Sequence, residues 1–124
     1  PAYYDKDMLT DKSMRFLVSE IIREKILLRY EKEIPYSTEV MVEEYIEGDN
    51  LNRIRAVIFT ERESQKRIII GHGGEQIKKI GIEARKDIEE FTSKKCYLEL
   101  FVKVKKDWRN SERDLQNFGY EQKK

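Results

Sequence analysis

The sequence has little of what several classes of protein require. It contains one cysteine, Cys96, which can form no internal disulfide, and one histidine, His72, so there is no Cys/His set to hold a metal. No apolar run approaches the roughly 20 residues of a membrane span. The first ten residues do not have the pattern of a signal peptide. A lone thiol fits a reducing compartment, so we expect a cytoplasmic protein.

An excess of one charge is also missing. The 25 Lys and Arg residues nearly balance the 24 Asp and Glu residues, leaving a net charge of +1 although 40% of the side chains are charged. A uniformly basic surface is therefore excluded, and any site for a polyanion must be a local patch. The 124 residues suffice for one domain with a core. The chain begins without a methionine, and we expect a fragment of a longer protein.

Apolar periodicity predicts the order helix, strand, strand, helix, glycine loop, helix, strand. The first helix should begin at Thr10 or Asp11 and end near Lys32, because Pro35 disfavours helical backbone just before it. Alternation predicts strands over 38–47, 54–58 and 98–104, and 75–91 has the clearest helical period. Residues 61–70 are ambiguous between a strand end and a short helix, and their composition favours the helix. The predicted core side of the first helix has Met14, Leu17, Val18, Ile21, Ile22, Ile26 and Leu28, and that of the first strand has Val40, Val42 and Ile46.

This order predicts an α+β domain with a three-stranded mixed sheet and helices on one face. The turn formers Gly48, Asp49 and Asn50 favour an antiparallel hairpin, and a right-handed crossover makes the second and third strands parallel. A short C-terminal helix is expected between Ser111 and Gly119, after Trp108, a candidate satellite of the core. We expect residues 1–10 to be a linker and 11–124 to form the domain with its tail.

The loop Gly71-His72-Gly73-Gly74 opens the clearest helix. Glycine lets a ligand backbone approach closely, and a helix N-terminus offers free N–H groups, so a phosphate site is one interpretation. A turn that needs glycine only for its dihedral angles is the other. A P-loop is excluded because Glu75 and Gln76 follow in place of Lys and Ser/Thr. A dinucleotide fingerprint fails because it needs glycine at position 76 and a preceding strand.

Basic residues on both sides of the loop favour a nucleic acid. Lys66 and Arg67 precede it, and further cations follow on helix faces outside the apolar stripe. Taken alone, such charges are typical of a solvated surface, but beside the glycines they favour phosphate contacts. The cations that follow the loop are Lys78, Lys79, Arg85 and Lys86.

The string from Ile70 to Ile80 resembles the I-G-x-x-G-x-x-I-x-x-I signature of KH domains, and the element order α-β-β-α-α-β resembles their type II form. Further segments resemble one family of bacterial GTPases that carry a KH domain at the C-terminus and act in ribosome assembly. The segments are SEIIREKILL, EIPYS, ERESQKRIIIG, IGIEARKDIEEF, LELFVKVKKDW and ERDLQNFGY, which together span nearly the whole chain.

The resemblance implies an RNA-binding domain for the single-stranded 3′ end of small-subunit ribosomal RNA. The glycine loop would clamp the RNA backbone, and Ile70 and Ile77 would line a groove for about four nucleotides. Relatives often carry a basic residue in the variable pair of the loop, which is His72-Gly73 here. This departure and the negative charge of Glu75 imply modest affinity. The predicted RNA-binding residues are Lys66, Arg67, Ile70, Gly71, His72, Gly73, Gly74, Ile77, Lys78, Lys79 and Arg85.

The resemblance also implies no cofactor in this chain, because GTP and Mg belong to a GTPase domain outside it. The implied partners are single-stranded RNA, the small ribosomal subunit and that N-terminal GTPase domain, with the chain a monomer, cytoplasmic and partly peripheral at the inner membrane. One alternative is a protein-interaction domain that docks the GTPase domain or a ribosomal partner. An enzyme is disfavoured because His72 has no catalytic partner in the pattern. Replacing Gly71 and Gly74 together by Asp is expected to leave a folded domain.

Overall fold

The computed structural model describes residues 11–31 and 33–106, so the predicted linker over 1–10, the C-terminal helix and Trp108 lie outside the described residues. A 3-10 turn, His72–Gly74, lies between the two helices that flank the glycine loop. In chain order the elements are α1 (Asp11–Arg29), α2 (Glu33–Tyr36), β1 (Thr38–Ile46), β2 (Leu51–Thr60), α3 (Glu63–Ile70), α4 (Glu75–Thr92) and β3 (Lys95–Val104).

The three strands form one mixed sheet in the order β1-β2-β3. β1 and β2 are antiparallel, as the hairpin prediction requires, and β2 and β3 are parallel, in register from Leu51 opposite Lys95 to Thr60 opposite Val104. The helices α1, α3 and α4 share one core with the inner sheet face. The predicted α+β class with helices on one face is therefore confirmed.

The core lies between the helices and the central strand. Ile54, Ala56 and Ile58 alternate along β2 toward the helices, and all three are buried. Each fully buried aliphatic side chain stabilises the fold by about 1.5–3 kcal/mol relative to its exposed state. The helical side of this core is built by Met14, Val18, Ile22 and Ile26 of α1, Ile69 of α3, and Ile80, Ala84 and Ile88 of α4.

The face predicted for β1 is wrong at its far end. The pairing with β2 shifts between Val42 and Glu44, which is a β-bulge. One extra residue reverses the alternation beyond that point. Tyr45 therefore enters the core, with 8% of its surface exposed, and Ile46 is turned out with 50% exposed.

The end of the first helix also differs from the prediction. α1 ends at Arg29, and a separate four-residue helix, α2, includes Pro35. Proline is tolerated there because the first turn of a helix needs no internal N–H donor. The buried residues of α1 recur every four positions up to Ile26, so Leu28, predicted to be core, lies off that side and is 74% exposed.

A buried glutamine fixes the start of α3. The Gln65 carboxamide oxygen accepts hydrogen bonds from the backbone N–H groups of Glu61 (3.1 Å) and Arg62 (2.9 Å). Its amide nitrogen donates to the Ser37 hydroxyl at 3.0 Å, just before β1. These bonds satisfy donors that a helix N-terminus leaves free and tie the start of α3 to the residue before β1, at the open end of the hairpin.

The part of the chain that the structure describes shows neither a membrane-spanning helix nor a cluster of metal-binding side chains. No described helix combines the length and apolar character that crossing a membrane requires. No group of three or more His, Cys, Asp or Glu side chains among the described residues is placed to hold a metal ion.

Truncation of the α4 core residue Ile80 tests this packing. Ile80→Ala should lower the free energy of unfolding by about 2–5 kcal/mol, because the side chain is fully buried and leaves a cavity. The matched control, Ile68→Ala on the exposed side of α3, should cost about 1 kcal/mol or less. Urea denaturation measures both values. Equal losses would contradict the core described here.

Candidate nucleic-acid interface

The loop between α3 and α4 depends on three left-handed glycines. Gly71, Gly73 and Gly74 have φ angles of 77°, 62° and 79°. The Gly71 N–H donates to the Arg67 carbonyl at 2.9 Å and ends α3, and the Gly74 N–H donates to the Gly71 carbonyl at 3.2 Å. The chain thus reverses within one turn and enters α4 at Glu75. Residues other than glycine rarely adopt such φ angles, so the backbone of this turn by itself favours glycine.

The three glycines are not equivalent. A Cβ added to Gly71 would lie 2.5 Å from Cγ and 3.0 Å from the backbone nitrogen of Gln76, whereas one added to Gly73 or Gly74 would meet nothing within 4 Å. Gly71 also combines φ 77° with ψ 178°, a region that is essentially restricted to glycine. Gly71 is therefore needed for the fold, and the open space beside Gly73 and Gly74 is what a ligand can use. The expectation that Gly71→Asp leaves the fold intact does not agree with this geometry.

A tyrosine directly after α1 holds the end of α3 in place. The Tyr30 hydroxyl donates a hydrogen bond of 2.8 Å to the carbonyl of Ile69, two residues before the loop. Burial raises the pKa of Tyr30, so the hydroxyl keeps its proton for this bond. The contact spans 39 positions in the chain, so the periodicity of the sequence could not have indicated it.

A groove runs beside the loop between α4 and β3. Its volume is about 320 Å³. Gly81 faces the Leu100 side chain across this groove, and a Cβ added to it would lie 3.7 Å from that side chain, an ordinary contact distance. The walls are largely apolar with two cations at the edge, and the lining residues are Ile77, Lys78, Gly81, Ile82, Arg85, Leu98 and Leu100.

The structure brings part of the predicted set together. Ile77, Lys78 and Arg85 line the groove. Ile70 packs against the core at the end of α3. Lys66 and Arg67 lie in the last turns of α3, and Arg67 also ends that helix through its carbonyl. Lys79 is not among the residues of the groove and lies 3.5 Å from the Glu75 carboxylate.

Four groove residues were missed by sequence reasoning. Leu98 and Leu100 were predicted only as residues of a strand, and both stay half-exposed because α4 leaves the edge of β3 uncovered. Gly81 and Ile82 follow the apolar stripe of α4 by one and two positions. A helical wheel places them beside Ile77, Lys78 and Arg85, and that signal could have found them.

Charges are separated across α4. On the side that faces α1, Asp87 pairs with Lys25, and Glu83 binds Arg29 through two hydrogen bonds of 2.6 and 3.2 Å. The pKa of Lys25 is raised, chiefly by the hydrogen bond to Asp87. On the groove side, Lys78 and Arg85 form no ion pair with any described residue.

Two of the five acids of α4, Glu83 and Asp87, are thus paired with α1, whereas the cations beside the groove form no ion pair with a described residue. This separation gives a nearly neutral protein a local positive patch. Ion pairs at the surface contribute little to stability, so the main effect of these two pairs is on the electrostatic potential around α4.

The candidate catalytic groups are not arranged for chemistry. Burial raises the pKa of the Cys96 thiol to about 11, so the reactive thiolate is disfavoured. The nearby Glu89 carboxylate accepts a 2.9 Å hydrogen bond from the Cys96 backbone N–H and fixes the start of β3. His72 is exposed in the loop. The arrangement favours binding over catalysis.

Comparison with known proteins assigns the class. A family model described as "KH domain" matches residues 33–109, which include the hairpin, the glycine loop, the groove and β3. The chain therefore belongs to the KH domain family, and its element order is that of the type II form.

Within that family the chain corresponds to the C-terminal KH domain of GTPase Era. Era of Syntrophus aciditrophicus is 54% identical over 122 residues, which cover 97% of this chain and 40% of that protein. Era of Xylella fastidiosa strain Temecula1 is 48% identical over 118 residues, covering 95% and 40%. The chain thus spans about 40% of the length of these curated relatives, and the matched portion does not include their GTPase domain.

Two solved structures share the fold. Era from Aquifex aeolicus bound to GDP and AlF4⁻ superposes with a TM-score of 0.82 at 40% identity, covering 95% of this chain and 40% of that one. Era in complex with MgGDPNP and nucleotides 1506–1542 of 16S ribosomal RNA gives the same TM-score and identity, covering 94% and 40%. GTP and magnesium thus belong to the part of these relatives that this chain does not cover.

The inequivalence of the glycines is testable by single substitutions. Gly71→Ala should lower the free energy of unfolding by more than about 2 kcal/mol, because a steric clash adds to the backbone strain. The matched variant Gly73→Ala should cost about 1 kcal/mol, since strain acts alone there. Urea denaturation gives both values, and a Gly73 variant less stable than the Gly71 variant would contradict the geometry.

Proposed function

We propose that this domain binds the single-stranded 3′ end of small-subunit ribosomal RNA during ribosome assembly. The observation that carries the proposal is the junction of an open glycine turn with an apolar groove. The groove is bordered by Lys78 and Arg85, which form no ion pair with a described residue. The relative solved with nucleotides 1506–1542 of 16S ribosomal RNA supports this choice of RNA.

The loop supplies the contact with the RNA backbone. Gly73 and Gly74 have open space where side chains would otherwise stand, so a sugar-phosphate chain can approach the main chain. The N-terminus of α4 adds free N–H groups and partial positive charge. His72 and, on α3, Lys66 and Arg67 are exposed or half-exposed on either side of this path.

The groove supplies the contact with the bases. Unpaired bases present flat apolar faces and hydrogen-bonding edges, and single-stranded recognition uses both. Ile77, Leu98 and Leu100 offer apolar walls, while Lys78 and Arg85 border the groove where phosphates would pass. About four nucleotides are accommodated by such a groove in KH domains.

Glu75 opposes phosphate binding and is partly compensated. Its carboxylate lies 3.5 Å from the Lys79 ammonium, one helical turn on. Lys79 thus acts on the phosphate path mainly by neutralising Glu75. We infer modest affinity for the isolated domain, with the small ribosomal subunit and a GTPase domain as partners of a longer, monomeric and cytoplasmic protein.

A protein-docking function is the second candidate, and exposed apolar residues on α1 favour it. Phe16, Leu27 and Leu28 are each more than 60% exposed. Replacing Phe16 and Leu27 by Ser should leave RNA affinity unchanged if the groove is the RNA site. A loss of RNA affinity in that variant would shift the RNA path to α1.

Aspartates at the two open glycines test the phosphate clamp. Gly73→Asp with Gly74→Asp should abolish binding to a 16S 3′-end oligomer, because the side chains fill the backbone path and repel phosphate. The close packing of Gly71 on Gln76 is left intact, so the domain should remain folded. The matched control is Gly73→Asn with Gly74→Asn, which adds similar bulk without charge and should retain more affinity. Wild-type affinity in a folded Asp variant would contradict the clamp.

Salt dependence tests the cations of the groove. Lys78→Gln with Arg85→Gln should flatten the log–log slope of affinity against salt by about 0.7 for each phosphate that is no longer neutralised. The matched control Lys86→Gln removes an exposed charge of the same helix that is not among the residues of the groove. Fluorescence anisotropy over a salt series measures the slopes. An unchanged slope for the double variant would place the RNA elsewhere.

A further inference from the structure

The sheet face opposite the helices carries a strip of β3 side chains that the groove does not use. Tyr97 and Phe101 point to this outer face, because Cys96 and Val102 of the same strand are buried on the helix side. Tyr97 is 51% exposed and Phe101 is 43% exposed. The whole strip alternates cation, ring, acid, ring, cation along Lys95, Tyr97, Glu99, Phe101 and Lys103.

Cations without ion pairs surround the two rings. Lys95 and Lys103 lie at the ends of the strip, and Arg53 of β2 is the register partner of Tyr97. None of these three forms an ion pair with a described residue. In contrast, the neighbouring Arg55 lies 3.4 Å from Glu43 and 3.5 Å from Glu44. The exposed aromatic faces of the strip thus lie between cations that no described residue pairs.

We propose that this outer face of β3 is a second contact surface for single-stranded RNA, which binds the nucleotides that leave the groove. The proposal rests on the proposed function of the groove. Aromatic rings between cations suit an unpaired strand, since bases stack on the rings and phosphates meet the cations. A duplex would hide its base faces from Tyr97 and Phe101, so the strip suits single strands.

The position of β3 makes one continuous path possible. β3 is an edge of the sheet, and its inner-facing Leu98 and Leu100 line the groove while Tyr97 and Phe101 occupy the opposite face. A strand that leaves the groove reaches the rings by passing over this edge without crossing β1 or β2. The two rings lie four residues apart, about 13 Å along the strand, which allows separate bases to stack on each.

Oligomer length separates the two surfaces. The variant is Tyr97→Leu with Phe101→Leu, which keeps apolar bulk and removes the stacking faces. Its affinity for an oligomer of about twelve nucleotides from the 16S 3′ end should fall at least about tenfold, whereas that for an oligomer of about four nucleotides should not change. The exchange variant Tyr97→Phe with Phe101→Tyr keeps a ring at both positions and should bind the long oligomer with wild-type affinity. The control Phe16→Leu, an exposed ring on α1, should change neither affinity.

The outcomes distinguish this proposal from the function on which it rests. Wild-type affinity for the long oligomer in a leucine variant with an unchanged melting temperature would assign the face to a protein contact and overturn the proposal. An equal loss for both lengths would show an effect transmitted through the groove and would also overturn it. If the wild-type chain binds neither oligomer, the proposed function itself fails.

Discussion

The parallel pairing of β2 with β3 is the constraint on which the rest of the structure depends. A chain that leaves β2 at Thr60 must return to the opposite end of the sheet to run beside it, and the return passes over one face. Two helices fill that crossover. The reversal between them falls at Gly71–Gly74, and α4 then runs back along the edge of β3. The loop and the groove are therefore products of one topological requirement, and neither is a separate addition to the fold.

Packing on α1 turns this topology into a polarised site. Lys25 and Arg29 bind Asp87 and Glu83 on one side of α4, whereas the cations on the groove side form no ion pair with a described residue. Tyr30, one residue further, holds the carbonyl of Ile69 and thereby the end of α3. From the sequence, α1 was predicted only to pack on the core. Together with Tyr30, it also influences the electrostatics of α4 and the position of the loop.

The order of helices and strands was predicted correctly, because apolar residues that recur every two positions in a strand or every 3.6 in a helix are local signals. It failed at Ile46 and Leu28, where a bulge and the drift of a helical stripe changed which side chains face the core. In the site, the loop and Ile77, Lys78 and Arg85 were foreseen from motif and charge. Leu98 and Leu100 were not foreseen. How much of a strand residue is covered depends on how far a helix from another part of the chain extends over the strand. The special status of Gly71 likewise depends on its packing against Gln76, which only the folded turn creates.

The central claim is that RNA lies along the glycine loop and in the groove between α4 and β3. Backbone amide chemical shifts of the ¹⁵N-labelled chain, followed by NMR during titration with a 16S 3′-end oligomer, test it most directly. The account predicts that the largest shifts fall at Gly73, Gly74, Gly81 and Leu100, while the exposed side of α1 around Phe16 stays unchanged. Shifts concentrated on α1, with the loop and groove unaffected, would contradict it.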